Sequence, residues 1–394
     1  MTDTYATARA MLADLKAGKV SARALLDAHL ARNDAIAKTI NAVIATDIAR
    51  ARKDADAIDA ARAKGEPLGP LAGLPMTIKD GFDVENMPAV AGATMFKDRP
   101  KDCADATLVA TLRQAGAVMW GKTNVPFMLS DIQSYNEVNG TTNNPYDVTK
   151  VPGGSSGGAA AALACGVTPL EIGSDIGGSL RHPANFCGVT SLKPTWGALD
   201  GRGHVPPPPG VYYETDLGVF GPMARTVDDL KMLWSVLRGT PEQPRRDING
   251  ARVAVWSEEA SWPLARAVRD GVQRAADALA KSGAQVEIAK PEIDGAELTD
   301  TYQTLLTPII ALGLPEPMMR AFENMRDADR ELMKSGGEGA SIAAFRYRAT
   351  TPFREMAVAW AQRQRFKDIL AAFFGRYDAI VMPVTMVTGM TIAS

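Results

Sequence analysis

Cysteine and histidine are both scarce: the 394-residue chain holds three of each. Cys103, Cys165 and Cys187 are too few and too dispersed for a disulfide framework, and their number is odd. CxxC and HxxxH spacings are missing, which excludes the common zinc sites. A GK[ST] phosphate loop, a GxGxxG turn after a strand and a GxSxG elbow are missing too. Neither sign of charge is in excess. The formal net charge is −2, and basic residues are scattered among acids, so nothing draws a nucleic acid. No run is long and apolar enough to cross a bilayer. The first twenty residues place Asp3, Arg9, Asp14 and Lys16 among apolar ones, unlike a signal peptide. The expectation is a cytoplasmic protein with no metal, no membrane and no nucleic-acid partner.

What is present alternates. Residues 5–64 read as helices, with Gly18 as a stop, Ser21 as an N-cap and a third helix over about 47–64. His29 lies in the second of them, as a surface or packed histidine. From Gly65 the texture changes to turn, short strand, turn in "GEPLGPLAGLPMTIKDGFDV". "ATLVATLRQAGAVMWGKTN" and "SSGGAAAALACGVTPLEIGSD" then read as helix followed by strand, and further such units follow 250. Thr226 reads as an N-cap with Asp228 and Asp229 in the first turn. "GHVPPPPGVYYETD" (203–216) is a long loop, a pocket wall or a connector. This alternation predicts an α/β fold, with a mixed, mainly parallel central sheet covered by helices on both faces. No composition break marks a boundary. We expect a single domain over 1–394: helices at 1–64, a catalytic core at 65–240, and a helix-rich second half with strands at 250–394.

Glycine and serine concentrate in "VPGGSSGGAAAALACGVTPLEIGSDIGGSLRHP", residues 151–183. Three readings compete. Glycine before a helix can cradle a phosphate or nucleotide. Glycine can simply permit tight turns. Or bare backbone can approach a substrate carbonyl, with serine as nucleophile and consecutive N–H groups stabilising the oxyanion. "SDIGGS" suits the third, through the N–H groups of Ile176, Gly177, Gly178 and Ser179. The base must then be found. His29, His182 and His204 sit in no Ser–His–Asp pattern, so the search moves to lysine. Lys79 ends a short apolar strand between a Gly-Leu-Pro turn and an Asp-Gly turn, where it can point inward. Burial can bring a lysine down to roughly 7–8, where it serves as a base.

Together, "GLPMTIKD", "GGSSGG" and "GSDIGGSLRHPANFCGVTSLKPT" resemble the amidase signature family of serine hydrolases, in order and spacing, over nearly the whole chain. The resemblance implies a Ser–cisSer–Lys triad without metal or cofactor. Ser179 would be the nucleophile, Ser155 the relay serine after a cis peptide, and Lys79 the base. Ile176, Gly177, Gly178 and Ser179 would form the oxyanion hole, braced by Asp175 and Arg181. Ser156 is the rival of Ser155, or a cap of the next helix; Ser174 supports the loop; His182 packs.

Two departures from the family pattern stand out. Relatives carry a further segment after the "YDAIVMPVT" strand, whereas this sequence stops at "TGMTIAS", so either the chain is shortened or its sheet closes differently. Many relatives have glutamate where this chain has Phe127. Phe127, Met128, Leu129 and Tyr212 hint at an apolar acyl or aryl pocket, though core packing is the reading favoured for them. The implied activity is hydrolysis of a carboxamide to carboxylate and amine, with dimerisation the common outcome for such enzymes. The glutaminase (A) subunit of a tRNA-dependent amidotransferase is the alternative within the family. A phosphate-binding protein is the alternative outside it.

Overall fold

The computed structural model describes residues 2–204 and 215–392. Its contacts group the chain into two compact units, 1–244 with 389–394, and 245–388.

The first unit opens with α1 (Ala8–Lys16), α2 (Ala22–Ile40), β1 (Val43–Thr46) and α3 (Ile48–Ala63). The predicted caps are in place: the Ser21 side chain accepts the Ala24 N–H, and Gly18 turns at φ +68°. β1 falls between the second and third helices, in a span where the sequence reads only helices. Val43, Ile44 and Thr46 favour strand, but only antiparallel pairing with a distant segment makes them one. That segment is β3 (Val118–Thr123), which also pairs in parallel with β2 (Pro75–Lys79). α4 (Thr107–Gln114) connects β2 to β3, and β4 (Tyr135–Asn136) and β5 (Gly140–Thr141) form a small antiparallel pair.

α5 (Gly157–Ala164) is followed by β6 (Leu170–Asp175), α6 (Arg181–Cys187), β7 (Thr190–Ser191), β8 (Val219–Ala224) and α7 (Val227–Arg238). β8 runs antiparallel between β6 and β7. β6 lies beside β2, where the Thr77 amide donates to Thr168 Oγ1. Every residue of β2, β3 and β6 is buried. Apolar Met76, Ile78, Val118, Trp120 and Ile172 account for much of that burial. Two lysines share it: Lys79 ends β2, and Lys122 lies one residue before the end of β3.

Thr226 caps α7 as expected. Asp229 does more than sit in a favourable first turn. It is buried, and its carboxylate accepts the Ala8 and Arg9 amides, closing the N-terminus of α1. His29 is a packed histidine, its Nδ1 3.1 Å from the Val167 carbonyl, and burial lowers its pKa to about 4.

The second unit holds β9 (Arg252–Val255), α8 (Arg266–Lys281), β10 (Gln285–Ile288), four helices and a last strand. The helices are α9 (Gly295–Ala311), α10 (Glu316–Ser335), α11 (Ala340–Ala349) and α12 (Phe353–Phe374); the strand is β11 (Ala379–Val381). β9 lies between β10 and β11, parallel to both. Val255 packs with Val272 and Ala276 of α8, and Ala254 with Phe373 and Tyr377. The strand pairings of the chain are therefore mixed, within an α/β fold.

Candidate active site

Lys79 is fully buried at the end of β2. Its Nζ lies 2.8 Å from Ser155 Oγ, 2.9 Å from Ser174 Oγ and 3.4 Å from the Ser174 carbonyl oxygen. Lys122 shows the contrast. Its ammonium meets Asp80 at 3.0 Å and donates to the Phe82 and Met87 carbonyls, which is how a buried charge is normally satisfied. Lys79 has two hydroxyls and a carbonyl instead. Desolvation lowers its pKa to about 7, against the opposing pull of Asp175 and Glu171.

Ser155 sits in the loop before α5, and the Gly154–Ser155 peptide is cis. Ser134 holds this loop: its Oγ donates to the Gly153 carbonyl and accepts the Gly157 amide. The neighbouring Ser156 lends its backbone N–H to the Ser179 carbonyl oxygen at 3.2 Å. That bond ties the two glycine–serine segments together. Ser156 Oγ does not cap α5; it is buried without a hydrogen-bond partner.

Ser179 follows the turn after β6 and is nearly buried. Asp175 organises that turn. Its Oδ1 accepts the Gly178 amide at 2.8 Å and Arg181 Nη2 at 2.7 Å; its Oδ2 accepts the Leu180 and Arg181 amides and Arg181 Nε. Burial alone would raise the Asp175 pKa, but the guanidinium and backbone donors prevail and hold it below the ordinary range. This geometry corrects one expectation. The Gly178 N–H is engaged by Asp175, so it braces the turn instead of standing open to an oxyanion. Gly178 has φ +110°, and a Cβ there would lie 2.3 Å from the His182 ring, so only glycine fits. His182 thus packs on the turn.

Glu171 is a buried acid that sequence reasoning passes over. Its Oε1 accepts from Thr77 Oγ1 (2.8 Å) and Thr123 Oγ1 (2.9 Å), and its Oε2 from the Ile172 amide. Burial raises its pKa to about 7 despite those donors. His204 escapes it as well. Its Nε2 is 2.9 Å from Ser174 Oγ. No local pattern marks either residue; each is defined by strands far away in sequence.

The pocket residues separate. Phe127 is half exposed, so it is not core. Met128 and Leu129 have positive φ, and Leu129 packs against Ala89 and Ala91. Tyr212 lies outside the described residues. No cluster of three or more potential metal ligands occurs among the described residues.

An α/β fold that holds an interior lysine against serine hydroxyls has the build of a serine hydrolase. The chain belongs to the amidase family, whose family model, described as Amidase, matches residues 24–394. It is 38% identical over 274 residues to AtzE, a 1-carboxybiuret hydrolase component of Pseudomonas sp. (strain ADP). That match spans 65% of this chain and 59% of the relative, so less than two thirds of the relative's length is represented. It is 33% identical to the A component of glutamyl-tRNA(Gln) amidotransferase from Salinispora arenicola (strain CNS-205), over 98% of this chain and 84% of that protein. A solved structure described as revealing the evolutionary origins of an s-triazine catabolic enzyme superposes with TM-score 0.81 at 30% identity, covering 99% of this chain and 83% of that one. A bacterial aryl acylamidase of the amidase signature family shares the fold, with TM-score 0.81 at 23% identity over 99% of this chain and 82% of its own. Among the described residues, no helix is long and apolar enough to cross a membrane.

Proposed function

We propose that the chain is an amidohydrolase that cleaves a small carboxamide through an acyl-enzyme on Ser179. The observation that carries this is the fully buried Lys79 amine, 2.8 Å from Ser155 Oγ and with a pKa lowered to about 7. A neutral amine there takes the Ser155 proton while Ser155 takes the Ser179 proton. Ser179 Oγ bonds to the carbonyl carbon, and the oxyanion faces the N–H groups of Ile176, Gly177 and Ser179. The C–N bond breaks, and the proton returns from Lys79 through Ser155 to the leaving nitrogen. Water then attacks the ester by the same relay, releasing carboxylate and restoring Ser179. Asp175 and Arg181 keep the turn in shape throughout. None of these steps calls for a metal or cofactor.

The family match runs across both compact units, which supports their working as one amidase domain. Its place of work, on this reading, is the cytoplasm. The test is turnover of a panel of aliphatic, aryl and amino-acid amides by the purified chain and by Ser179→Ala. The parent should release amine, and the variant should lose about 10³-fold or more. Undiminished turnover by the variant would remove Ser179 from its role.

Similarity to the A components of glutamyl-tRNA(Gln) amidotransferases supports a second reading, a glutaminase that works within an assembly. Turnover of simple amides by the chain alone favours the first. Activity confined to glutamine, and only with added partner proteins, favours the second.

A further inference from the structure

Ser174 has no part in the proton relay, yet its Oγ stands 2.9 Å from Lys79 Nζ and 2.9 Å from His204 Nε2. His204 is held firmly. Its ring makes edge-to-face contacts with Phe82 (4.8 Å) and Phe220 (5.0 Å), and its backbone bridges to Phe82. Gly81 makes room for it, since a Cβ there would come within 2.9 Å of Nε2.

Hydrogen-bond accounting gives this contact a purpose. A neutral lysine amine has two N–H donors and one lone pair. To act as a base, Lys79 must aim the lone pair at the Ser155 hydroxyl. Its two N–H groups then need other acceptors, and the Ser174 Oγ and carbonyl oxygen supply both. Ser174 has one hydroxyl proton. Aimed at Lys79, that proton would occupy the lone pair and block the base. An acceptor on the far side draws it away.

We infer that His204 is a positioning residue whose Nε2 accepts the Ser174 hydroxyl proton and so turns the Lys79 lone pair toward Ser155. The imidazole then carries its own proton on Nδ1. This rests on the Lys79–Ser155–Ser179 reading and adds a fourth and fifth residue to it. Desolvation, with the charge of Lys122, holds the ring neutral, as an acceptor must be; Lys79 adds to this only while it is protonated. The charged groups that bear on this site are Lys79 on β2, Lys122 on β3, and Glu171 and Asp175 on β6.

The experiment measures the rate of labelling of Ser179 by a fluorophosphonate, from pH 5 to 10, in four variants of the full chain. The variants are His204→Phe, His204→Gln, Ser174→Ala and the double Ser174→Ala/His204→Phe. Phenylalanine keeps the ring and removes the acceptor. Glutamine restores an acceptor oxygen. His204→Phe should lower the plateau rate about tenfold or more and move the acid limb to lower pH, because the Ser174 proton now competes for Lys79. His204→Gln should recover most of the loss. The double variant should be no slower than Ser174→Ala, because the two act in series. A His204→Phe protein labelled at the parent rate with an unmoved limb overturns the inference. So does a double variant whose losses multiply, and this comparison remains decisive if one single variant folds poorly. Ser179→Ala, run alongside, isolates the underlying reading: labelling that persists there defeats the triad, whatever His204 does.

Discussion

The backbone N–H of Ser156 donates to the carbonyl oxygen of Ser179 at 3.2 Å, so the residue beside the proposed relay serine fixes the segment carrying the proposed nucleophile. The Ser156 contribution is backbone; its hydroxyl is buried and unpartnered. Ser156→Ala should therefore keep activity and gain up to about 1 kcal/mol of stability, since an unsatisfied buried hydroxyl is lost. Ser155→Ala should abolish most turnover. Amide hydrolysis and thermal melts of both variants check this pair of outcomes.

The pH profile follows from Lys79. As the proposed base it would work only when neutral, and its pKa is lowered to about 7, so kcat/KM should rise with pH through that region and then level off. Glu171 pulls the Lys79 pKa upward. Glu171→Gln should move the rising limb to lower pH, and a limb displaced upward would contradict the stated sign.

Lys79 should also cost stability. Its native pKa lies below the unfolded value of roughly 10.4, so between about 7 and 10.4 the unfolded chain binds the extra proton. The penalty is full below about 7 and disappears as pH rises through the unfolded value. Lys79→Met should be inactive yet melt at higher temperature than the parent near neutrality. Its advantage should shrink between about pH 7 and 10.4, which melts across that range will show.

Asp175 has the opposite sign. Its depressed native pKa contributes stability that is complete above the unfolded carboxyl value and lost as pH falls through the native one. Arg181→Met removes the strongest contributor to that depression. The variant should unfold at a higher pH than the parent in an acid titration, with kcat reduced because the turn carrying Ser179 loosens.

Much of this is legible from local chemistry. Ser21 and Thr226 declare helix starts through hydroxyls that need no distant partner. Lys79 is legible because an apolar strand flanked by two turns leaves its side chain little but the interior. The rest depends on contacts that only folding makes. Val43–Thr46 is a strand because β3 offers it an edge to pair with. Asp229 reads as a first-turn acid and turns out to close a different helix. Gly178 reads as an oxyanion donor until Asp175 claims its amide. His204 gives no signal in "GRGHV", since its meaning comes from Ser174, thirty residues earlier in the chain.

The most direct measurement is an NMR titration of the Lys79 side chain, with 15Nζ and 13Cε labelling and Lys79→Met to assign the resonance. The account predicts one lysine titrating near pH 7 and absent from the variant. A Lys79 resonance that titrates near the ordinary value of roughly 10.4 would contradict it.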